Sequence, residues 1–193
     1  MKTVSLSGVP RVHVGKKDAK GLRNEGRVPC VLYGNNTEQV MFHIDAKAFK
    51  PVIHTPETFL IEITVGDKTY KAVLKEVQYH PVSDNVLHVD FYEVRSDKPV
   101  HVSLPVKVKG TSPGVIRGGK LKLKLKRLNV KGLIDHMPEN ITIDISKLNV
   151  GQTIKVKDLK LDNIAVTDNG NSVIVEVKTA RGVVIAAEEE SAE

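Results

Sequence analysis

The sequence predicts a mainly β protein, and three observations carry that expectation. β-branched side chains dominate, with 29 Val, 13 Ile and 11 Thr among 193 residues; they fit a pleated surface and lose rotamer freedom in a helix. Aromatics are scarce, with no Trp and only four Phe and four Tyr, so they cannot dominate the core. Apolar and polar residues alternate at period two in short runs bounded by Gly, Pro, Asn and Asp, the pattern of strands and turns.

Taken in order, Thr3 to Leu6 reads as a short strand that Gly8 and Pro10 interrupt. Residues 15–26 (GKKDAKGLRNEG) place Lys16, Lys20 and Arg23 at i, i+4 and i+7, one face of a helical turn or two. Gly21 weakens any helix there, so a loose basic loop with at most a short helix is expected. Val28 to Tyr33 reads as a strand closed by Gly34-Asn35-Asn36, and Asp45 can cap a short helix over Ala46 to Phe49 that Pro51 curtails. Thr58 to Val65, then Gly66-Asp67, then Lys68 to Gln78 is a β-hairpin pattern. After the break at His80-Pro81, Val86 to Val94 forms a further strand. Leu87, Val89 and Phe91 share one of its faces, and His88, Asp90 and Tyr92 the other.

Ser96-Asp97-Lys98-Pro99 reads as a linker, and no Phe, Tyr or Trp occurs beyond it. A second β-rich domain is expected over residues 96–181, after a first domain of residues 1–95 and before an acidic, flexible tail at 182–193. Its strands are expected at Val100 to Val108, Lys120 to Leu128, Asn140 to Ile145, Thr153 to Val156 and Ser172 to Val177, with a turn at 168–171. In the second of these runs Leu121, Leu123 and Leu125 alternate with Lys120, Lys122, Lys124 and Lys126, and the phase flips after Arg127. A β-bulge near Lys126-Arg127 would return Leu128 to the buried face. The lysines serve either to screen an edge strand against aggregation or to meet phosphate.

The net charge is +6, in two basic blocks: residues 1–34 carry a local +5, and residues 101–131 carry nine Lys or Arg and no acid. Two separate blocks point to a polyanion partner, with solubility alone as the competing explanation. A lone cysteine, Cys30, excludes an internal disulfide and argues against a cysteine-based metal site. It fits a reducing cytoplasmic setting. No run approaches the roughly 18 apolar residues of a membrane span, and the first residues lack an apolar signal core.

Catalytic patterns fail on inspection. Gly114 to Lys120 matches the first seven positions of a phosphate-binding loop. However, Leu121 stands where a hydroxyl must hold magnesium, and a strand pattern follows where a helix is required. Of seven histidines only His80 and His88 lie near each other with Asp90, and no nucleophile or acid accompanies them. No enzyme, cofactor, metal or small-molecule substrate is expected.

Several residues together carry a resemblance. Arg11, Gly15-Lys16, Leu22-Arg23, and Val28-Pro29 with residues 31–34 form one signature, and Val77-Gln78, His80-Pro81 and residues 88–91 (HVDF) form a second. In this order and separation they resemble the ribosomal protein L-twenty-five family. These are bacterial large-subunit proteins that bind 5S rRNA, and their two-domain form is general stress protein CTC. The resemblance spans residues 3 to about 181. It implies a six-stranded β-barrel with short helices for residues 1–95, docked near internal loop E of 5S rRNA, and the second domain of the long form. It also implies a structural component of the ribosome in the cytoplasm, with neighbouring ribosomal RNA or proteins as further partners.

Carried over position by position, it implies RNA contacts from Arg11, Lys16, Lys20, Arg23, Tyr33, Gln78, His88 and Asp90; the lysine alternation, not the resemblance, adds Lys120, Lys122, Lys124 and Lys126 as a secondary RNA contact. Relatives often carry Ser-Arg where this chain has Ala19-Lys20; lysine keeps the charge but loses the planar fork, so Lys20 is expected to act as a point contact to phosphate. The competing class is a basic, stress-related protein-interaction module not stably bound to ribosomes, and ribosome co-sedimentation discriminates the two.

Overall fold

A computed structural model describes residues 1–34, 37–159, 161 and 163–179. The acidic tail expected at 182–193 and the turn residues Asn35 and Asn36 lie outside the described residues. The chain divides into two compact units, one of residues 1–105 with 128–141 and 161–167, the other of the intervening segments and the chain from Asp168 on.

The first unit is built on a closed six-stranded barrel. In chain order its elements are strand β1 (Lys2–Pro10), helix α1 (Lys16–Asn24), strands β2 (Arg27–Gly34) and β3 (Thr37–Asp45), a 3-10 turn at Ala46–Phe49, helix α2 (Lys50–Ile53), and strands β4 (Phe59–Val65), β5 (Lys68–Tyr79) and β6 (Val86–Glu93). Around the barrel they run β1-β3-β2-β6-β5-β4, and a seven-residue parallel pairing, Lys2↔Phe59 through Gly8↔Val65, closes the ring. A closed ring has no free strand edge along which another chain could pair.

Alternation decides what fills the interior. In register, Cys30 and Leu32 of β2 stand beside Val89 and Phe91 of β6, and opposite Phe42 and Val40 of β3. All of these except the half-buried Val40 belong to the buried core, with Leu6, Val28, Ile44, Ile61, Ile63 and Ala72. Phe91 is fully buried, and its ring stacks on Phe42 (centroids 5.9 Å apart) and on Phe49 (6.4 Å). Three of the chain's few aromatics are thus concentrated at the barrel centre.

Four local expectations need correction. First, β1 runs through Gly8 to Pro10 instead of stopping at Leu6. A Cβ at Gly8 would lie 2.5 Å from the Phe42 ring, so glycine lets β1 approach the core there, and Pro10 ends the strand where its missing N–H is tolerated. Second, β3 escaped the sequence reading, although Phe42 and Ile44 are buried on it. Third, Asp45 caps the short helix over Ala46–Phe49 as expected, through a bond from the Lys47 N–H, but the chain then continues into α2 and is not curtailed by Pro51. It sits in the first turn of α2, where a proline N–H has no intrahelical partner to lose. Fourth, residues 16–24 form a full helix despite Gly21. Gly21 is exposed, and the half-buried Asp18, Ala19 and Leu22 lean toward β2. That packing offsets the roughly 1 kcal/mol cost of a helical glycine.

Beyond the barrel lie β7 (Val100–Lys109), helical turn α3 (Pro113–Ile116), β8 (Lys120–Leu123), β9 (Arg127–Gly132), β10 (Ile141–Asp144), β11 (Thr153–Lys155), β12 (Ile164–Val166) and β13 (Val173–Lys178). They form a four-stranded sheet ordered β10-β7-β9-β12 and a three-stranded sheet ordered β11-β13-β8. The strand expected over Lys120 to Leu128 is therefore two strands in two sheets, and the break at residues 124–126 replaces the expected bulge. Leu128 and Val130 are buried because β9 has its own alternation. The segment from Gly114 to Lys120 passes from a helical turn into a strand, the reverse of a phosphate-binding loop.

Candidate nucleic-acid interface

The outward face of β2, β6 and β5 is the complement of the core. With Val89 and Phe91 pointing in, His88, Asp90 and Tyr92 point out. The antiparallel register sets Gln78 opposite His88 and Glu76 opposite Asp90, while the parallel register sets Val31 beside Asp90 and Tyr33 beside Tyr92. Tyr33 and Tyr92 meet edge to face, 5.9 Å between centroids at 81°. Burial first, then the charges of Asp90 and Glu76, raise the Tyr33 hydroxyl above the ordinary tyrosine value, so it remains a donor at neutral pH.

His88 and Asp90, two residues apart on one strand face, are joined by a hydrogen bond of 2.7 Å between Nδ1 and Oδ1. A carboxylate only accepts, so Nδ1 carries the hydrogen, and Nε2 is the ring nitrogen left for a further partner. A carboxylate beside phosphates suffers repulsion; here Asp90 has a role within the protein, which is to orient an imidazole.

Helix α1 supplies the charge. Lys16, Lys20 and Arg23 are exposed along it. Arg23 donates its Nε–H to the carbonyl of Leu87 at 3.0 Å, next to His88. That bond joins the basic helix to the strand of the His-Asp pair. Arg11 is placed differently. Its guanidinium donates to Asp18 from both Nε (3.2 Å) and Nη2 (2.5 Å), and only 9% of its side chain is exposed. Of the eight residues carried over from the resemblance, it is the least able to reach a phosphate, and its geometry is that of a clamp on the first turn of α1. Gln78 is exposed beside His88. Sequence reasoning named neither Asp18 nor Tyr92 as a site residue, although it placed Tyr92 on this face. An acid in the first turn of a basic helix was the available signal for one, and the strand alternation for the other. His80 has a local role: its Nδ1 accepts from the backbone N–H groups of Val82 and Ser83 and caps the turn before β6.

Beneath this region His43 is nearly buried on β3, opposite Pro29 and Val9. Burial, then the charges of Arg27 and Arg11, lower its pKa, with Glu25 and Asp18 opposing. Between the lowered folded value and the ordinary value near 6.5 the unfolded chain binds more protons, so stability rises with pH in that window. Urea midpoints are therefore expected to drop as pH falls from 7 to 5, and His43→Gln should flatten the drop. An equally steep drop in the variant would contradict the assignment.

In the second unit, Lys120 and Lys122 lie on β8, and Lys124 and Lys126 follow it in the break. Lys124 is ion-paired to Glu176 at 3.0 Å. The four lysines are thus not equivalent. Among the described residues no group of His, Cys, Asp and Glu is arranged to hold a metal, and no helix is long and apolar enough to cross a membrane. Cys30 is buried, which pushes its thiol well above the ordinary range.

Comparison with known proteins gives two family matches in chain order. Residues 6–91 match the Ribosomal L25p family, and residues 99–181 match the C-terminal domain of ribosomal protein TL5. Proteins named large ribosomal subunit protein bL25 are similar over nearly the whole chain. The one from Porphyromonas gingivalis is 44% identical over 182 residues, 94% of this chain and 95% of its own. The one from Azobacteroides pseudotrichonymphae is 38% identical over 181 residues, 94% and 96%. The one from Christiangramia forsetii is 37% identical over 185 residues, 95% and 84%.

Proposed function

Because this chain belongs to the ribosomal L25p family, we propose that it is a structural component of the large ribosomal subunit whose barrel, within residues 1–95, binds 5S rRNA near loop E. The observation that carries this reading is the bond from Arg23 to Leu87, which brings a basic helix and the His88–Asp90 pair onto one surface. Residues 96–181 are the added domain of the long form, and the matched ranges support that division.

The roles follow from chemistry. Lys16, Lys20 and Arg23 neutralise phosphates and set the protein's position without reading sequence. Duplex RNA exposes ribose hydroxyls and base edges in a wide, shallow minor groove. The Tyr33 hydroxyl, the Gln78 amide and Nε2 of His88 are donors and acceptors fixed on a rigid sheet to meet them. Arg11 acts through α1, which it holds by Asp18. The protein is accordingly ribosome-associated, and its work is binding.

A gel-shift titration of the full chain on 5S rRNA tests the reading. Binding tighter than about 1 µM, the level typical of non-specific phosphate contact, is expected to survive an excess of unrelated duplex RNA. Weaker binding that the competitor abolishes would reject it.

A further inference from the structure

The outer face of the three-stranded sheet in the second unit carries positive charge that packing does not explain. On it stand Lys120 and Lys122 of β8 and Lys178 of β13, with a single acid, Glu176. Register sets Lys122 opposite Glu176, and Lys120 opposite Lys178, so these four side chains share a face. Glu176 is 10% exposed and is bridged by Lys124 at 3.0 Å and Lys178 at 3.4 Å. Its charge is therefore already matched by the lysines beside it. Lys120 and Lys122 have no ion-pair partner among the described residues, and Lys178 keeps 58% of its side chain exposed.

Like charges directly opposite each other on paired strands are destabilising. Lysines on an edge strand ordinarily protect that edge from pairing with another chain. That explanation reaches Lys120 and Lys122, since β8 is an edge, but not Lys178, which stands on the central strand β13. Glu176 sets one negative charge against Lys120, Lys122, Lys124 and Lys178, so a further anion is what would relieve the Lys120–Lys178 juxtaposition.

We propose that this sheet face is a second RNA-binding surface, on which Lys120, Lys122 and Lys178 take phosphate groups of large-subunit ribosomal RNA. The proposal rests on the reading of the chain as a ribosomal component, but not on the barrel's contact with 5S rRNA. Charge complementarity selects the occupant. Residues 101–131, which include β8, carry nine basic residues and no acid. Alternate residues on a strand lie about 6.8 Å apart and neighbouring strands about 4.8 Å apart. The three ammonium groups thus present a compact cationic patch to a backbone that bears one negative charge on every nucleotide. Glu176 is a positioning residue, holding Lys124 and Lys178 upright.

The test compares the full chain with the triple variant Lys120→Gln/Lys122→Gln/Lys178→Gln. Affinity for isolated 5S rRNA is expected to agree within about twofold, which shows the barrel intact. On large subunits prepared without this protein, the variant is expected to bind about tenfold more weakly at 0.15 M salt, with a salt slope smaller by about two to three, close to one for each phosphate left unneutralised. Lys122→Cys, labelled with a photocrosslinker while Cys30 stays buried, should crosslink to ribosomal RNA in those subunits. Unchanged affinity and slope, or crosslinks confined to ribosomal proteins or to the chain's own acidic residues 188–193, would overturn the proposal. If neither protein binds 5S rRNA, the barrel reading falls while the crosslink still decides this one.

Discussion

Arg23→Ala is expected to weaken binding to 5S rRNA by roughly 10- to 100-fold and to flatten its salt dependence by about one unit of slope. Two effects combine. The guanidinium no longer supplies a cation to phosphate, which lowers the slope by about one for each phosphate it had neutralised. The bond to the Leu87 carbonyl, 3.0 Å long, also disappears, and a hydrogen bond involving a charged group contributes about 1.5–3 kcal/mol. With that tie gone, α1 relies on its half-buried Asp18, Ala19 and Leu22 and on the Arg11–Asp18 pair. Arg23→Lys separates the two effects, since it should restore the slope while recovering only part of the affinity. Asp90→Ala should behave oppositely, weakening binding without flattening it, because it releases His88 and removes no cation. Identical salt slopes for wild type and Arg23→Ala would exclude a phosphate role for this residue.

Phe91→Ala should produce the largest loss of stability of any single change in the barrel, about 3–5 kcal/mol. The side chain is fully buried and bridges Phe42 and Phe49, so truncation leaves a cavity that the closed ring cannot collapse to fill. Against a typical net stability of about 5–15 kcal/mol, that loss brings the barrel near its threshold. Phe91 alternates with Asp90 and Tyr92 on β6, so binding should fall with stability even though no RNA-facing group is altered. Hydrogen exchange of the β2 and β6 amides reads the loss directly. Phe91→Leu, which replaces much of the volume, should recover most of it. A change below about 1 kcal/mol in Phe91→Ala, well under the usual cost of such a truncation, would show that the aromatic trio does not hold the interior.

Strands with clean alternation were legible in the sequence: β2, β4, β5 and β6 fall within a residue or two of their expected bounds. What escaped was set by contacts distant in sequence. No local signal reveals that Gly8 meets Phe42, and so nothing local extends β1. The break of the lysine-leucine run leaves one local signal, the phase flip after Arg127, and that flip looks the same whether a single strand bulges or the chain changes sheets. The length of α1 was underestimated because Gly21 was weighed by its intrinsic propensity and not by the stripe beside it that leans on β2. The candidate interface divides the same way. Strand periodicity placed His88, Asp90 and Tyr92 on one face, but the clamp from Arg11 to Asp18 needed coordinates, since nothing in residues 11–18 fixes the fold of the intervening loop.

Ring closure by the parallel pairing of β1 with β4 has a consequence for the order of events during synthesis. The N-terminal strand leaves the translation tunnel first, yet its closing partner is residues 59–65, and β2 lacks its parallel neighbour until residues 89–92 follow. Such distant pairings must bear the entropy of looping out the intervening chain before they gain any contact, so the hairpins β2–β3, β4–β5 and β5–β6 can form locally, but the ring cannot close until β4 and β6 have emerged. The RNA-facing surface, which joins α1 and β2 to β5 and β6, therefore comes into being only when the chain through β6 is available, and a chain that stops short of β6 lacks the His88–Asp90 half of it.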